Sequence, residues 1–280
     1  MKKPLLTLKA RAARAVAVVA LAALAPAVLA SATLRAQAAE RAPDPIETDR
    51  PDFIESSVVV PRGFWQLENG LLAARQGGVT ALHGTETLLR VSLADRFEWR
   101  LGLPNLEWEQ GTGALGAGLA DGYAGIKWQV GPIDGWELAV IPGTSLPFGA
   151  AGRTSGSWDP ELKLTFAHDL PSSFDVSGML AVFWPTAGGA RVTNLQPALS
   201  VAREVAPRVR VFIEWVGAFN AGQDAGHLAH AGVAWRVGEH VQFDVHAGHR
   251  LAGDFPDGFV AMGFSFRRGT RLATVNPGAP

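Results

Sequence analysis

The feature that most constrains this chain is a repeated alternation of apolar and polar side chains. Between residues 97 and 101, Phe97, Trp99 and Leu101 fall on one face of an extended chain, and Glu98 and Arg100 fall on the other. A period of two residues is that of a β-strand with one apolar face, whereas a helix repeats every ~3.6 residues. After residue 40, no stretch approaches the ~18 consecutive apolar residues of a membrane-spanning helix. The alternation therefore predicts an all-β protein.

Twelve such segments follow one another. The pattern predicts strands at residues 63–74, 84–93, 97–103, 118–130, 136–147, 158–168, 174–183, 193–205, 209–219, 227–237, 241–251 and 258–266. Short connections such as 94–96 alternate with longer ones, such as 104–117 and 184–192, which are rich in Gly, Ala and Pro. This is typical of a transmembrane antiparallel up-and-down β-barrel, with short turns in the periplasm and long loops outside. We therefore predict a barrel of about 12 strands over residues 63–266, followed by a tail at 267–280.

Aromatic and charged residues favour the same arrangement. Many aromatic residues, including Trp128, Trp136 and Phe243, lie within a few residues of a short connection. Rings of this kind collect at membrane–water interfaces. The apolar faces lack charge, and a charge facing lipid near the midplane would cost about 2–4 kcal/mol. The charged faces are therefore expected to line the lumen.

The alternative architecture is a soluble periplasmic β-sandwich that binds a ligand, because its strands also alternate. It accounts less well for the aromatic clustering and for the scarcity of lysine. After residue 40 only Lys127 and Lys163 remain, whereas a soluble surface of this size usually carries more solubilising charge.

The N-terminus has the pattern of an export signal. Basic residues such as Lys2 and Arg14 precede an apolar run at 15–30, and Ala36-Gln37-Ala38 supplies a cleavage site. This predicts a signal peptide over residues 1–39. Removing its six basic residues changes the formal net charge from −1 to −7, which disfavours nucleic acid as a partner. The absence of Cys excludes disulfide scaffolds and thiol catalysis.

Residues 40–62 form a polar segment before the first strand. It holds four prolines and the closely spaced charges Asp49, Arg50 and Asp52. It could fold into the periplasmic mouth as a plug, with these charges pairing against lumen arginines such as Arg90 and Arg100. The alternative is a loose periplasmic tail. The candidate lumen and plug residues are Asp49, Arg50, Asp52, Arg90, Arg100, Asp121, Lys127, Glu161, Lys163, Glu214, His230, Asp244 and His246.

Motifs for catalysis or metal binding fail on geometry. The run 111–116 matches G-x-G-x-x-G, but a period-2 segment follows it where a dinucleotide site needs a helix. His227 with His230, and His246 with His249, have His-x-x-His spacing, which places the two rings on opposite faces of a strand. His230 and His246 are instead expected on one lumen wall, as polar lining, with a metal-binding or proton-sensing role as the alternative. An outer-membrane phospholipase also has twelve strands, but the outward faces offer no Ser–His pair. We predict no enzyme activity, no cofactor and no metal.

The chain resembles one bacterial family most clearly at its start. The run Thr48-Asp49-Arg50-Pro51-Asp52, within residues 46–53, is the most specific match, and residues 61–63 and 66–70 continue it. Shorter matching runs follow at residues 86–90, 95–98, 121–127, 145–147 and 159–163. These residues resemble the bacterial outer-membrane transporter-like family of the meta-pathway of phenol degradation.

The resemblance covers residues 46–266 and implies a function. It implies a barrel in the cell outer membrane, inserted by the outer-membrane assembly machinery, that passes small hydrophobic or aromatic solutes. A barrel of ~12 strands lies between filled small barrels and open porins, so the pore is expected to be narrow or partly blocked. A barrel that only anchors or seals, without transport, is the competing function.

Overall fold

The computed structural model describes residues 44–220 and 222–269. The predicted signal peptide at 1–39, the first residues of the polar segment and residues 270–280 of the tail lie outside the described residues. Within the described part of the chain, no helix is long and apolar enough to cross a membrane.

The described residues form sixteen strands and one short 3-10 turn at Pro171–Ser173. The strands are β1 (Phe64–Gln76), β2 (Val79–Ala94), β3 (Phe97–Gly102), β4 (Leu106–Gln110), β5 (Ala117–Leu119), β6 (Gly122–Gln129), β7 (Trp136–Leu146), β8 (Pro160–Leu170), β9 (Phe174–Phe183), β10 (Thr186–Ala187), β11 (Ala190–Arg191), β12 (Asn194–Ala206), β13 (Val209–Asn220), β14 (Gly226–Arg236), β15 (Val241–Ala252) and β16 (Gly258–Gly269).

Twelve of these strands close into an antiparallel barrel. The ring runs β1, β2, β3, β6, β7, β8, β9, β12, β13, β14, β15 and β16, and β16 pairs with β1 to complete it. The closing register runs from Phe64 opposite Gly269 to Arg75 opposite Gly258. Closure leaves no unpaired edge in the ring. The predicted fold class is confirmed.

The two ends of the barrel differ as predicted, with two corrections. Turns of a few residues join the strands at one end, which we call the short-turn end. Most connections at the other end, the long-loop end, are longer, but only Gly77 and Gly78 join β1 to β2 there, and the predicted connection at 75–83 is wrong. The prediction of a loop at 104–117 is wrong, because it contains β4 and the start of β5. β4 pairs with the first half of β2, from Gly84 to Thr80, and so extends the sheet beyond the ring at the long-loop end. Leu106 to Gln110 alternate over only five residues, between Pro104 and the glycines of 111–116, and this composition is typical of a loop.

The strands face the membrane with apolar side chains. Ile213 is 63% exposed and Val245 is 54% exposed, while the inward-facing Glu98 is fully buried. Near the short-turn end, outward aromatic rings contact one another across strands: Phe97 and Trp128 stack with ring centroids 6.0 Å apart. Such a band is the aromatic girdle expected at a membrane interface.

The interior is not uniformly polar, although the charge pattern of the strands predicts a charged lumen. Ile54 belongs to an apolar cluster inside the ring, together with inward-facing residues of β9, β13, β14 and β16 that include Val216, Leu228 and Phe259. This apolar cluster fills part of the lumen on the long-loop side. The alternation of the strands identifies which residues face inward, but an apolar inward residue looks the same in sequence as an apolar outward one.

Candidate functional site

Residues 44–62 lie inside the ring of strands. They enter at the short-turn end, where the backbone N–H of Ile46 donates to the carbonyl of Glu239 at 3.0 Å. Further in, the segment contacts opposite walls: the N–H of Phe53 donates to Glu214 of β13 at 3.2 Å, and the N–H of Val60 donates to Glu98 of β3 at 2.7 Å. Prolines break the segment's own secondary structure, so side chains of the wall satisfy its backbone donors.

Asp49 is the central anion of this arrangement. Its carboxylate accepts from Nζ of Lys127 at 2.9 Å and from the guanidinium of Arg100 at 2.5 Å, and it lies 3.4 Å from the guanidinium of Arg90. These cations come from β2, β3 and β6, which are neighbours in the ring. Burial alone would raise the pKa of Asp49, but the charges of Arg100, Arg90 and Lys127 hold it well below its usual range.

Two carboxylates of the barrel wall, Glu68 and Glu98, contact the same cations. We call the whole group the charge cluster: Asp49, Glu68, Arg90, Glu98, Arg100 and Lys127. Glu98 accepts from Arg90 at 2.8 Å and from Arg100 at 2.9 Å. Glu68 accepts from Arg90 at 3.0 Å and from the backbone N–H of Asp49 at 3.0 Å. Each buried charge thus has several partners, which buried ions require. The wall alone has one more cation than anions, and Asp49 supplies the missing charge.

A second group of charges extends the cluster along the lumen. Nζ of Lys163 lies 2.7 Å from Glu55 and 2.8 Å from Glu161, and Glu55 also pairs with Arg100 at 2.9 Å. Burial would raise the pKa of Glu55, but Arg100 and Lys163 lower it below its usual value. Ion pairs therefore hold the segment at Glu55 as well as at Asp49.

The innermost part of the segment, Arg50–Phe53, is called the tip. The guanidinium of Arg50 lies 2.8 Å from Glu86 and 3.4 Å from Asp244. It passes over Gly70 and Gly263 of two adjacent strands, where any Cβ would collide with it. The two glycines thus make room for the arginine in the wall.

Asp52 lies in a more acidic setting than Asp49. Its carboxylate is 3.8 Å from the guanidinium of Arg210. Burial is the main cause that raises its pKa to about 8, and Glu214, Asp175 and Asp244 act in the same direction against Arg210. At neutral pH the tip therefore carries a mostly protonated carboxyl group.

His230 and His246 meet on one lumen wall beside the tip. Their Nδ1 atoms are 3.4 Å apart, Nε2 of His230 lies 3.2 Å from Glu214, and the ring of Phe53 packs edge-on against His230 with centroids 5.0 Å apart. His227 and His249 are not part of this group. Among the described residues, no set of three or more acidic or His side chains could hold a metal ion.

A chamber of about 510 Å³ lies between the tip and the long-loop end. Its walls include the apolar side chains of Phe53, Leu72, Leu88 and Leu103, with Tyr123 among them. A smaller cavity of about 230 Å³ adjoins it and shares Asp121. The chamber falls in the ~300–1,000 Å³ range of small-molecule sites.

The structure brings most of the predicted lumen residues together. Asp49, Arg90, Arg100 and Lys127 share the charge cluster; Glu161 and Lys163 adjoin it. Arg50 pairs with Asp244, and Glu214 joins His230 and His246 beside the tip. Asp121 stands apart: it accepts from the backbone of Gly149 at 2.9 Å and from Thr154 at 3.0 Å.

Four acidic residues of the site are absent from the list of candidates: Glu55, Glu68, Glu86 and Glu98. Glu98 and Glu68 alternate with apolar neighbours on their strands, so the same period-2 pattern that indicated Arg100 places them on the charged faces expected to line the lumen. Glu86 lies on such a face in sequence, but at an irregularity of β2 with a φ of 40°. Glu55 lies in the irregular segment, where no alternation indicates its surroundings.

A closed twelve-stranded barrel with an apolar outer wall, an aromatic girdle and a charged lumen defines this protein as an outer-membrane β-barrel. Residues 48–267 match the model of the family described as the MetA-pathway of phenol degradation. The chain belongs to that family. No curated protein sequence matches it significantly.

Solved structures with the same fold are outer-membrane channels and porins. The COG4313 outer membrane channel from Pseudomonas putida F1 is 14% identical, with a TM-score of 0.59 over 76% of this chain and 98% of that one. The NanC porin is 6% identical, with a TM-score of 0.51 over 72% and 98%. The KdgM porin, solved with disordered oligogalacturonate, is 8% identical, with a TM-score of 0.50 over 71% and 98%. At these identities the similarity establishes the fold.

Proposed function

We propose that the protein is a channel for small hydrophobic or aromatic solutes, and that residues 44–62 form a plug that closes it. The observation that carries the proposal is the docking of the segment on the charge cluster through Asp49. A tail without a role in the lumen has no need of a buried carboxylate that contacts three wall cations and supplies the one negative charge that the wall lacks. Passage of a solute then requires the segment to move.

The chamber supports the solute class. Phe53, Leu72, Leu88 and Leu103 give it an apolar wall, and burial of apolar surface contributes about 25 cal/mol per Å². A solute entering from the long-loop end would meet this wall before it meets the tip. In this proposal Phe53 forms the floor of the chamber and the contact between solute and plug.

Deletion of residues 44–62 tests the proposal. The variant, made with the export signal, is reconstituted in liposomes, and swelling is followed with phenyl glucoside and with methyl glucoside. Both sugars are too polar to cross lipid unaided, so entry reports the channel. We expect the deletion to accelerate the entry of both solutes, since it opens the lumen.

The full-length protein provides the matched comparison. It should admit phenyl glucoside faster than methyl glucoside, although the aromatic solute is larger. If a correctly folded deletion variant admits neither solute faster than empty liposomes do, the channel proposal is wrong and the barrel serves as an anchor or seal. If the full-length protein prefers methyl glucoside, the aromatic preference is wrong.

A further inference from the structure

The chamber between the tip and the long-loop end is lined by more acidic than basic side chains. Among the described residues that line it, four carboxylates, from Asp52, Glu55, Glu86 and Asp121, face two cations, Arg50 and Lys163. Because Asp52 is mostly protonated at neutral pH, three ionised carboxylates face these two cations, and the chamber has a negative formal charge when His246 is neutral.

Both cations are already engaged by carboxylates. Arg50 lies 2.8 Å from Glu86 and 3.4 Å from Asp244. Lys163 lies 2.7 Å from Glu55 and 2.8 Å from Glu161. Neither has charge to spare for an anionic solute, because each is surrounded by two carboxylates.

Two acidic side chains of the chamber, those of Asp52 and Asp121, lack a cation within hydrogen-bond distance among residues 44–220 and 222–269. Asp52 has a side chain only 9% exposed, and within the described part of the chain its buried Oδ1 has no hydrogen-bond partner. Its nearest cation, Arg210, is 3.8 Å from the other oxygen. Asp121 receives hydrogen bonds from neutral donors, Gly149 and Thr154, and forms no ion pair with any described residue. A buried polar atom without a partner is costly unless a ligand supplies one.

We propose that the chamber binds small amines, in which a positively charged nitrogen is attached to an apolar or aromatic body. This inference rests on the proposed channel function and names the charge of its solute. The ammonium group donates up to three hydrogen bonds, which Asp52 and Asp121 can accept. The body packs on Leu72, Leu88 and Phe53, and the ring of Phe53 favours a nearby cation.

Three probes of similar shape and different charge test the proposal. Benzylamine, benzyl alcohol and benzoate are titrated into the purified full-length protein by calorimetry at pH 7. We expect benzylamine to bind at least about fivefold more tightly than benzyl alcohol, as one partly desolvated ion pair provides, and benzoate to bind most weakly. Equal affinity for the three probes, or a preference for benzoate, would overturn the proposal.

Two variants locate the site. Asp121→Asn and Glu86→Gln should each reduce the affinity for benzylamine while leaving that for benzyl alcohol unchanged. Glu86→Gln keeps the contacts of Asp121 with the long-loop end, so it remains informative if the first variant disturbs that loop. Asp95→Asn is the control, since Asp95 is exposed at the short-turn end. If Asp95→Asn lowers the preference as much as Glu86→Gln does, the selectivity reflects overall charge and not the chamber.

The binding and transport measurements can reject the two proposals independently of each other. If full-length protein and the deletion variant admit phenyl glucoside but benzylamine has no binding advantage, the amine proposal is wrong and the channel stands. If benzylamine binds at the chamber but neither protein admits solute, the channel proposal is wrong and the chamber is a binding site on a closed barrel.

Discussion

Three cations of the barrel wall meet at the carboxylate of Asp49. Arg90, Arg100 and Lys127 come from three neighbouring strands, and the wall acids Glu68 and Glu98 neutralise two of them. Since a buried charge without a partner costs several kcal/mol, the wall is incomplete without the segment. A single residue thus couples the position of residues 44–62 to the electrostatics of the lumen.

Asp49→Asn should release the segment without unfolding the barrel. The change leaves one buried cation uncompensated, at a cost of about 3–5 kcal/mol. Hydrogen exchange of residues 44–62 should become much faster, while exchange of the strands stays slow. Glu47→Gln is the control, because the side chain of Glu47 is 57% exposed and 4.0 Å from its partner Arg236. Unchanged protection in Asp49→Asn would contradict the role assigned to this carboxylate.

Asp52 should make the docking of the tip weaker as pH rises from acid to mildly alkaline values. Its pKa rises from an ordinary value of 3.8 to about 8 in the folded lumen. Between these values the folded state holds a proton that the released segment does not, so docking weakens as pH rises through this window. Hydrogen exchange at residues 50–53, corrected for the intrinsic rate, should be better protected at pH 5 than at pH 9. Asp52→Asn should abolish the difference, and a difference that persists in this variant would have another origin.

At the scale of elements, most strands could be predicted because their signal is local. β9 lies at the predicted residues 174–183, and β13 differs from its prediction by one residue. Alternation within one strand depends only on which faces meet lipid and lumen. The start of β2 at Val79 was missed, since His83, Gly84 and Thr85 interrupt the apolar pattern.

Contacts that join distant parts of the chain could not be predicted in the same way. Lys127 is 78 residues from Asp49 in sequence, and their contact depends on the path of an irregular segment through the closed ring. The apolar cluster around Ile54 also depends on the path of this segment, so it could not be predicted either. Period-2 alternation gives the face of each side chain, but not what that face meets.

Ile213→Arg tests the assignment of faces on β13. Ile213 is 63% exposed on the outer wall, so an arginine there should cost about 2–4 kcal/mol if it lies near the midplane. The folded fraction in vesicles, measured by migration of unboiled samples in detergent gels, should fall. Asn105→Arg places the same side chain beside the acidic chamber and should fold normally. Equal loss in both variants would mean that the faces are wrongly assigned.

At the scale of the whole molecule, the barrel and its N-terminal segment form one ion-paired unit. The ring supplies cations on β2, β3, β6 and β8, and the segment supplies Asp49 and Glu55 to them. The apolar cluster fills part of the lumen on the opposite wall. The central claim of the proposed function is that a solute crosses this unit only when the segment leaves its place.

A reversible cross-link between segment and wall tests that claim most directly. The chain has no Cys, and the hydroxyl oxygens of Ser57 and Thr165 are 2.9 Å apart inside the lumen. In the double variant Ser57→Cys, Thr165→Cys, a disulfide would fix residue 57 to β8, with each single variant as a control. Liposome swelling with phenyl glucoside should be slow in the oxidised double variant and should recover when the disulfide is reduced. Equal rates before and after reduction would contradict the account, because solute would then pass without movement of the segment.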